Sequence, residues 1–266
     1  MSCFAIFLGA CGGGSSFDPV VTQIRAQSLR YGQSVVIEVA GKYMRNDMIA
    51  DTGTCTNPTF GTASSPDRAV LNCKVTATGP LPITIKSANG ALLYSGTLIV
   101  LPPQVTLITS NGNVVMELNA AAVPTTVNNF LSYVSTGYYG RTLFHRVISG
   151  FVIQGGGYTA GVVKKPGQAA PIALESNKGL LNTRSTLVMA RTNVPDSATS
   201  EFFINLVDNP SLDYQNPANP GYAVFGKVVQ GMEVVDAIAA MATTVVNGFA
   251  NVPTTDVTIL FAVQTQ

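Results

Sequence analysis

The chain has 266 residues, a formal net charge of +1 and a pI near 7.6. This charge balance excludes proteins that bind nucleic acid through a clustered basic face, because neutralising phosphates takes many lysines and arginines. Charged residues make up 11% of the chain, against about 25% in typical soluble domains. The composition is typical of an exported, β-rich protein, and the length allows two domains.

The N-terminal segment, MSCFAIFLGACGGGSS, contains an apolar stretch that ends in Leu-Gly-Ala-Cys. This pattern predicts a bacterial lipoprotein signal in residues 1–16, with Cys11 as the lipidated residue and a Gly/Ser tether after it. The apolar stretch is too short to cross a bilayer. Because no lysine or arginine precedes it, an upstream start codon and a fortuitous apolar end stay open as alternatives. Gly12 favours the outer over the inner membrane.

Two further cysteines, Cys55 and Cys73, lie in a β-rich region. In an oxidising compartment they would form a disulfide worth about 3 kcal/mol by loop-closure entropy. In the cytosol they would instead be reduced core thiols, and both alternatives stay open. The pair predicts no metal site, because CxxC spacing and nearby histidines are missing.

Residues 17–102 alternate short apolar runs with turn clusters, and this spacing predicts a small β-sandwich. The pattern resembles bacterial immunoglobulin-like spacer modules and contains no catalytic cluster. Its predicted strands are 34–41, 69–79, 81–87 and 92–101. Pro102-Pro103 then ends this first domain, because proline cannot continue a strand ladder.

Residues 103–266 predict a second domain: a closed β-barrel with helices covering its ends. It opens with a hairpin centred on Asn111-Gly112, whose two residues can take positive φ. Apolar residues at helical spacing predict helices at 123–136 and 232–241. The remaining predicted strands are 143–148, 151–154, 186–190, 202–205, 223–228 and 257–263.

The stretch GRTLFHRVISGFVIQGGGYT contains the only histidine of the chain, His145. It does not predict a serine hydrolase, because Ser149 lacks the Gly-x-Ser-x-Gly context of a nucleophile. It does not predict a phosphate-binding loop either, since the three glycines lack a following Lys-Ser/Thr pair. We therefore expect His145 to belong to the core and the glycines to serve backbone geometry.

Five segments of this second domain are similar to cyclophilins, in family order and with family-like spacing. The resemblance covers residues 103–266 and is strongest to periplasmic bacterial cyclophilins, which share NTR, MART, DSATS and FFIN almost verbatim. The segments are FHRV from Phe144, GFVIQGG from Gly150, VMAR from Val188, SEFFI from Ser200 and YAVFGKV from Tyr222.

The resemblance implies peptidyl-prolyl cis-trans isomerase activity on an eight-stranded barrel, without a cofactor or metal. It implies a catalytic Arg146, which donates to the prolyl nitrogen of a twisted amide, and a Gln154 that orients this arginine. By itself, Arg146 could be a solvated strand residue. The residues implied to bind the proline ring and the extended peptide are Phe151, Val152, Ala190, Arg191, Phe203, Leu212 and Tyr222.

Some residues depart from the family pattern. Val152 replaces methionine, and Glu201 replaces the usual glutamine, which adds negative charge near the peptide groove. Arg191 replaces the asparagine of eukaryotic members, and Tyr222 stands where many relatives have histidine. Ser211 occupies the position of a tryptophan in cyclosporin-sensitive members, so we expect weak cyclosporin binding.

The sequence thus favours a monomeric, lipid-anchored isomerase of the bacterial cell envelope that acts on proline-containing polypeptides. One alternative is a holdase that binds proline peptides with little turnover. Another is an adhesion or structural protein in which the N-terminal domain carries the function.

Overall fold

The computed structural model describes residues 18–61 and 65–266. The predicted signal, tether and lipidation site at Cys11 lie outside the described residues. Among the helices of the described part, none is long and apolar enough to cross a membrane.

The N-terminal region forms two antiparallel sheets, because its strands alternate buried and exposed residues. In β2, for example, Val35, Ile37 and Val39 are buried while Ser34 is exposed. The sheet orders are β1-β2-β5-β4 and β3-β6-β7. The strands are β1 Val20–Ala26, β2 Ser34–Lys42, β3 Ile49–Asp51, β4 Cys55–Phe60, β5 Arg68–Val75, β6 Gly79–Lys86 and β7 Leu92–Val100.

The predicted pairing of Cys55 and Cys73 is present as a disulfide, with Cα atoms 5.3 Å apart. It joins the neighbouring strands β4 and β5, and both cysteines are buried. The bridge therefore lies inside the core of the N-terminal region.

The C-terminal region is built on one curled nine-stranded sheet with two α-helices, in the order β10-β20-β8-β9-β17-β15-β16-β12-β11. The prediction of a mainly β fold with two helices is confirmed. The elements are β8 Gln104–Thr109, β9 Gly112–Leu118, α1 Pro124–Ser135, β10 Thr142–Leu143, β11 Arg146–Ile148, β12 Val152–Gly155, β13 Tyr158–Thr159, β14 Val163–Lys164, β15 Thr186–Met189, β16 Phe202–Asn205, a 3₁₀ turn Pro210–Leu212, β17 Val224–Gln230, α2 Met232–Ala239, β18 Thr243–Val246, β19 Phe249–Pro253 and β20 Thr258–Gln264.

The two ends of the curled sheet come from one continuous stretch of chain. The predicted strand at 143–148 is divided into β10, which pairs with β20, and β11, which pairs with β12. Phe144 and His145 connect the two strands. This division accounts for the ninth strand, and it places Arg146 directly after the connection.

The opening hairpin is present, but its turn lies one residue earlier than predicted. Thr109 pairs with Gly112, so Ser110 and Asn111 are the two loop residues. Gly112 begins β9 with a φ of +131°. The turn shifts because the Thr109 hydroxyl accepts from the Asn111 amide and donates to the Gly112 carbonyl, which satisfies these polar groups.

The core of the curled sheet is aromatic and packs against α1. The Phe130 ring lies 5.1 Å from Tyr139, 5.5 Å from Phe202 and 5.1 Å from Phe225, measured between centroids. All four side chains are fully buried. This packing fixes β16, whose other face supports the site described next.

Candidate active site

Three neighbouring strands bring Arg146, Gln154 and Phe203 side by side. Arg146 on β11 pairs with Gln154 on β12, which in turn pairs with Phe203 on β16. Residues directly opposite each other in an antiparallel pair share a face and lie about 5 Å apart. Because strand side chains alternate, Val152 lies on the same face as Gln154.

A chain of hydrogen bonds holds the arginine. The Nη1 of Arg146 donates to the Oε1 of Gln154 at 3.2 Å. The Nε2 of Gln154 donates to the Oε2 of Glu201 at 2.9 Å. The guanidinium is thus oriented by an amide, which is itself oriented by a carboxylate. The sequence predicted the first contact and not the second.

The floor beneath the arginine is apolar. Val152 and Phe203 are 2% and 5% exposed and form a small cluster with Val188 and Val224, separate from the main core. Phe151 and Leu212 pack against this cluster and stay partly exposed. An apolar depression with a fixed cation at its edge results, which suits a small non-polar ring attached to a polar backbone.

The opposite rim consists of Ala190, Arg191 and Tyr222. The Nε of Arg191 donates to the Gly221 carbonyl at 2.9 Å. The Tyr222 ring meets Phe203 edge-on, with centroids 5.7 Å apart. The ring contact connects the rim to the apolar floor, and the hydrogen bond holds Arg191 within the rim.

A cavity of about 300 Å³ lies between the arginine and this rim. All nine residues predicted to bind or act on substrate line it: Arg146, Phe151, Val152, Gln154, Ala190, Arg191, Phe203, Leu212 and Tyr222. A larger cavity of about 470 Å³ near Pro102 and Leu180 holds none of them. Its size alone assigns it no chemistry, so we place the candidate site in the smaller cavity.

His145 is buried and 4% exposed, as expected for a core residue. Its ring packs against Tyr158 at 4.5 Å between centroids. Burial lowers its pKa from the usual 6.5 to about 4, while the Leu143 backbone has a smaller raising effect and nearby Arg146 a smaller lowering one. The imidazole is therefore neutral at physiological pH, and its 3.5 Å approach to Glu201 is not an ion pair there.

The glycine run has a geometric explanation. Gly156 has a φ of +86°, and a Cβ there would meet the Ser200 carbonyl oxygen and the Tyr139 ring at 2.9 Å. A larger residue would therefore be strained and would clash with backbone. Within residues 18–61 and 65–266, no group of three or more His, Cys, Asp and Glu side chains could hold a metal ion.

The structure also identifies one residue whose contact the sequence did not predict. The sequence indicates the negative charge of Glu201, but its hydrogen bond to Gln154 depends on how the end of β15 and the start of β16 pack. The Ala190 amide donates to the Glu201 carbonyl at 3.0 Å, which sets this position. The glutamate in place of the family's glutamine was the one available signal.

Comparisons with known proteins identify the family of the C-terminal region. The family model for cyclophilin type peptidyl-prolyl cis-trans isomerase/CLD matches residues 104–263. Peptidyl-prolyl cis-trans isomerase cyp18 of Streptomyces antibioticus is 50% identical over 157 residues, which cover 58% of this chain and 94% of that protein. Peptidyl-prolyl cis-trans isomerase B of Escherichia coli K12 is 48% identical over 157 residues, which cover 58% of this chain and 95% of that protein.

A solved structure shares the fold. The cyclophilin type peptidyl-prolyl cis-trans isomerase of Cryptosporidium parvum, determined in the presence of the dipeptide Ala-Pro, aligns with a TM-score of 0.52 and 26% identity. The alignment covers 61% of this chain and 99% of that one. On the family match, the close bacterial relatives and the shared fold, this chain belongs to the cyclophilin-type peptidyl-prolyl cis-trans isomerases.

Proposed function

We propose that this protein catalyses the cis-trans isomerisation of X-Pro bonds in exported proteins within the bacterial cell envelope. The observation that carries the proposal is the 300 Å³ cavity, which combines an apolar floor at Val152 and Phe203 with a held guanidinium at Arg146. This arrangement suits a proline ring in the depression and its preceding amide beside the arginine.

The chemistry follows from amide resonance. An X-Pro bond resists rotation by roughly 18–20 kcal/mol because twisting removes its partial double-bond character. A turnover of order 10³ s⁻¹ requires the site to lower this barrier by about 6 kcal/mol. No covalent bond is made or broken, so the site needs no nucleophile.

Arg146 supplies the differential binding. In the planar amide the nitrogen lone pair is delocalised and accepts no hydrogen bond. In the twisted amide it is localised, so a guanidinium that is already in place can donate to it in the transition state and not in the ground state. Gln154 keeps the guanidinium in place by accepting from its Nη1. Arg146 is thus the catalytic residue and Gln154 its positioning partner.

The remaining cavity residues bind the substrate. Phe151, Val152, Phe203 and Leu212 would surround the proline ring, where apolar contact holds it without regard to the twist of the amide. Ala190, Arg191 and Tyr222 would lie along the extended peptide. Proline-containing polypeptides are therefore the proposed partners, and neither a cofactor nor nucleic acid takes part.

The envelope location is supported by the disulfide between Cys55 and Cys73, because such bonds persist in oxidising compartments. We propose that residues 1–16 are a lipoprotein signal and tether with lipid on Cys11, more consistent with the outer than the inner membrane. We also propose that residues 17–102 are an immunoglobulin-like spacer, and that residues 103–266 are a monomeric isomerase domain. Metabolic labelling with a fatty-acid analogue tests the lipid anchor. Wild type should incorporate the label, and Cys11→Ser should not.

A protease-coupled isomerisation assay on an Ala-Pro tetrapeptide tests the activity. Wild type must accelerate isomerisation, and Arg146→Ala must lower kcat/KM about 100-fold, as expected for a lost charged transition-state contact. Arg68→Ala, at an exposed arginine of β5, serves as the control and keeps full activity. A wild type that binds the peptide without acceleration would favour the holdase alternative.

A further inference from the structure

Glu201 lies behind the candidate active site rather than in it. It immediately precedes β16, its side chain is 22% exposed, and it does not line the substrate cavity. Its Oε2 accepts from Gln154, whose Oε1 accepts from Arg146. The carboxylate therefore reaches the guanidinium through one intervening amide.

The protonation state of Glu201 determines which way this amide faces. An ionised carboxylate only accepts hydrogen bonds, so the Gln154 NH₂ group must point towards it. The amide oxygen is then left for Arg146, which only donates. If the amide rotated, its NH₂ group would face the guanidinium, donor against donor. A protonated Glu201 can donate as well as accept, and it loses this control.

We infer that Glu201 is a positioning residue that orients Arg146 through Gln154, and that protonation of its carboxyl group in mild acid slows isomerisation. The inference rests on the proposed function of the same site. It adds a pH dependence that the chemistry of rotation lacks, because an arginine side chain stays charged throughout this range.

The groups around Glu201 favour protonation in mild acid. Burial raises its pKa above the usual value, and this exceeds the lowering by the Gln154 hydrogen bond and by Lys164 on β14. His145, with its Nε2 3.5 Å away, is neutral until about pH 4 and supplies no compensating charge. Burial raises the pKa of Tyr138 and of Tyr158, and the negative charge of Glu201 raises each further.

Gly157 provides an independent way to disturb the same contact. A Cβ at this position would clash with the Cγ of Glu201 and would lie 2.8 Å from its Oε1. Gly157→Ala must therefore push the Glu201 side chain aside while leaving its charge intact. The Gln154 amide would lose its fixed acceptor.

The test is exchange NMR on an uncharged Ala-Pro peptide with blocked termini, which needs no protease and runs from about pH 8 to about pH 4.5. The kcat/KM of wild type should fall by about 2–10-fold towards acid, the range of one hydrogen bond. The Glu201→Gln variant should accelerate isomerisation, and its kcat/KM should not change with pH. Glu117→Gln, which changes a carboxylate of the same sheet outside the site, should keep the wild-type profile.

The outcomes separate the inference from the proposed function. If wild type accelerates isomerisation at pH 8, the proposed isomerase function is supported, whatever the dependence of kcat/KM on pH. If wild type gives no acceleration at any pH, both the proposed function and the inference about Glu201 are overturned. A flat wild-type profile, or a Glu201→Gln variant that falls in acid like wild type, overturns the inference alone. If Glu201→Gln does not fold, Gly157→Ala tests the inference instead. A kcat/KM a few-fold below that of wild type at pH 8 supports it. A kcat/KM equal to that of wild type, with the same dependence on pH, overturns it.

Discussion

The guanidinium carbon of Arg191 lies 4.6 Å from the centroid of the Tyr222 ring. The same arginine donates through Nη1 to the Thr192 carbonyl at 2.8 Å. A cation–π contact of this kind contributes about 0.5–1 kcal/mol where solvent has access. Tyr222 thus supports a positive side chain at the rim of the cavity.

We predict that Tyr222→Ala raises KM about 3–10-fold and changes kcat by less than about 2-fold. Loss of the ring removes both the edge contact with Phe203 and the support of Arg191. These contacts bind the peptide equally well in either isomer and in the transition state, so their loss raises KM and leaves kcat nearly unchanged. Steady-state isomerisation kinetics measure the split. Tyr214→Ala, at an exposed tyrosine outside the cavity, is the matched control. A fall in kcat at unchanged KM would contradict this assignment.

His145 should make the folded state sensitive to acid. Its pKa is about 4 in the folded protein and near 6.5 in the unfolded chain. The unfolded chain therefore takes up the proton first, so the stabilising effect is complete above about pH 6.5 and is lost as the pH falls towards 4. Between these values the loss amounts to roughly 2–3 kcal/mol.

Urea unfolding of wild type and His145→Phe at pH 7 and pH 4.5 measures this effect. The phenylalanine keeps the aromatic contact with Tyr158 and removes the titrating group. We expect the free energy of unfolding to fall less in acid for the variant than for wild type. Glu201 acts in the opposite direction, because its raised pKa favours the folded state in acid. Equal falls in the two proteins would exclude His145 as the cause.

The disulfide should stabilise the N-terminal region without affecting catalysis. We predict that the double change Cys55→Ala and Cys73→Ala lowers the free energy of unfolding by about 3 kcal/mol, the entropy of closing a loop of this size. Isomerase activity should stay unchanged, because neither residue lines the substrate cavity. Thermal unfolding with and without a reductant provides the control. Reduced wild type should unfold at the same temperature as the variant, and oxidised wild type should unfold at a higher temperature.

Glu175 should contribute to stability by capping α1. The N-cap residue of this helix, Val123, has no side-chain acceptor, and no acidic residue occurs in the first turn. Glu175 supplies both the missing acceptor and the missing negative charge. It accepts from the Thr126 amide at 2.8 Å and from the Thr126 hydroxyl at 2.7 Å. We predict that Glu175→Ala lowers the free energy of unfolding by about 1–2 kcal/mol and leaves kcat/KM intact.

Glu233→Ala is the comparison for this prediction. Glu233 lies in the first turn of α2, a helix without a side-chain cap, so it interacts with the helix dipole alone and should contribute less. Denaturant unfolding of both variants measures the difference. An equal loss in the two would mean that the Glu175 hydrogen bonds add nothing to the dipole effect.

Much of the fold could be predicted from local pattern. Alternation of buried and exposed residues predicted β2, β5, β6 and β7, and helical spacing predicted α1 and α2. The pattern does not distinguish β1, β3 and β4 as individual strands, and it predicts 143–148 as one strand. Pattern fails for such segments because their pairing partners, and not their own periodicity, decide where they bend or end.

Through its resemblance to cyclophilins, the sequence by itself indicated all nine residues that line the cavity. Tertiary structure alone decided what holds Gln154 and where the curled sheet ends. The Gln154–Glu201 hydrogen bond, the Glu175 cap and the pairing of β10 with β20 join segments far apart in the chain. A motif specifies which side chains are present, but a hydrogen bond of 2.9 Å depends on register, and register is set when the sheet closes on its core.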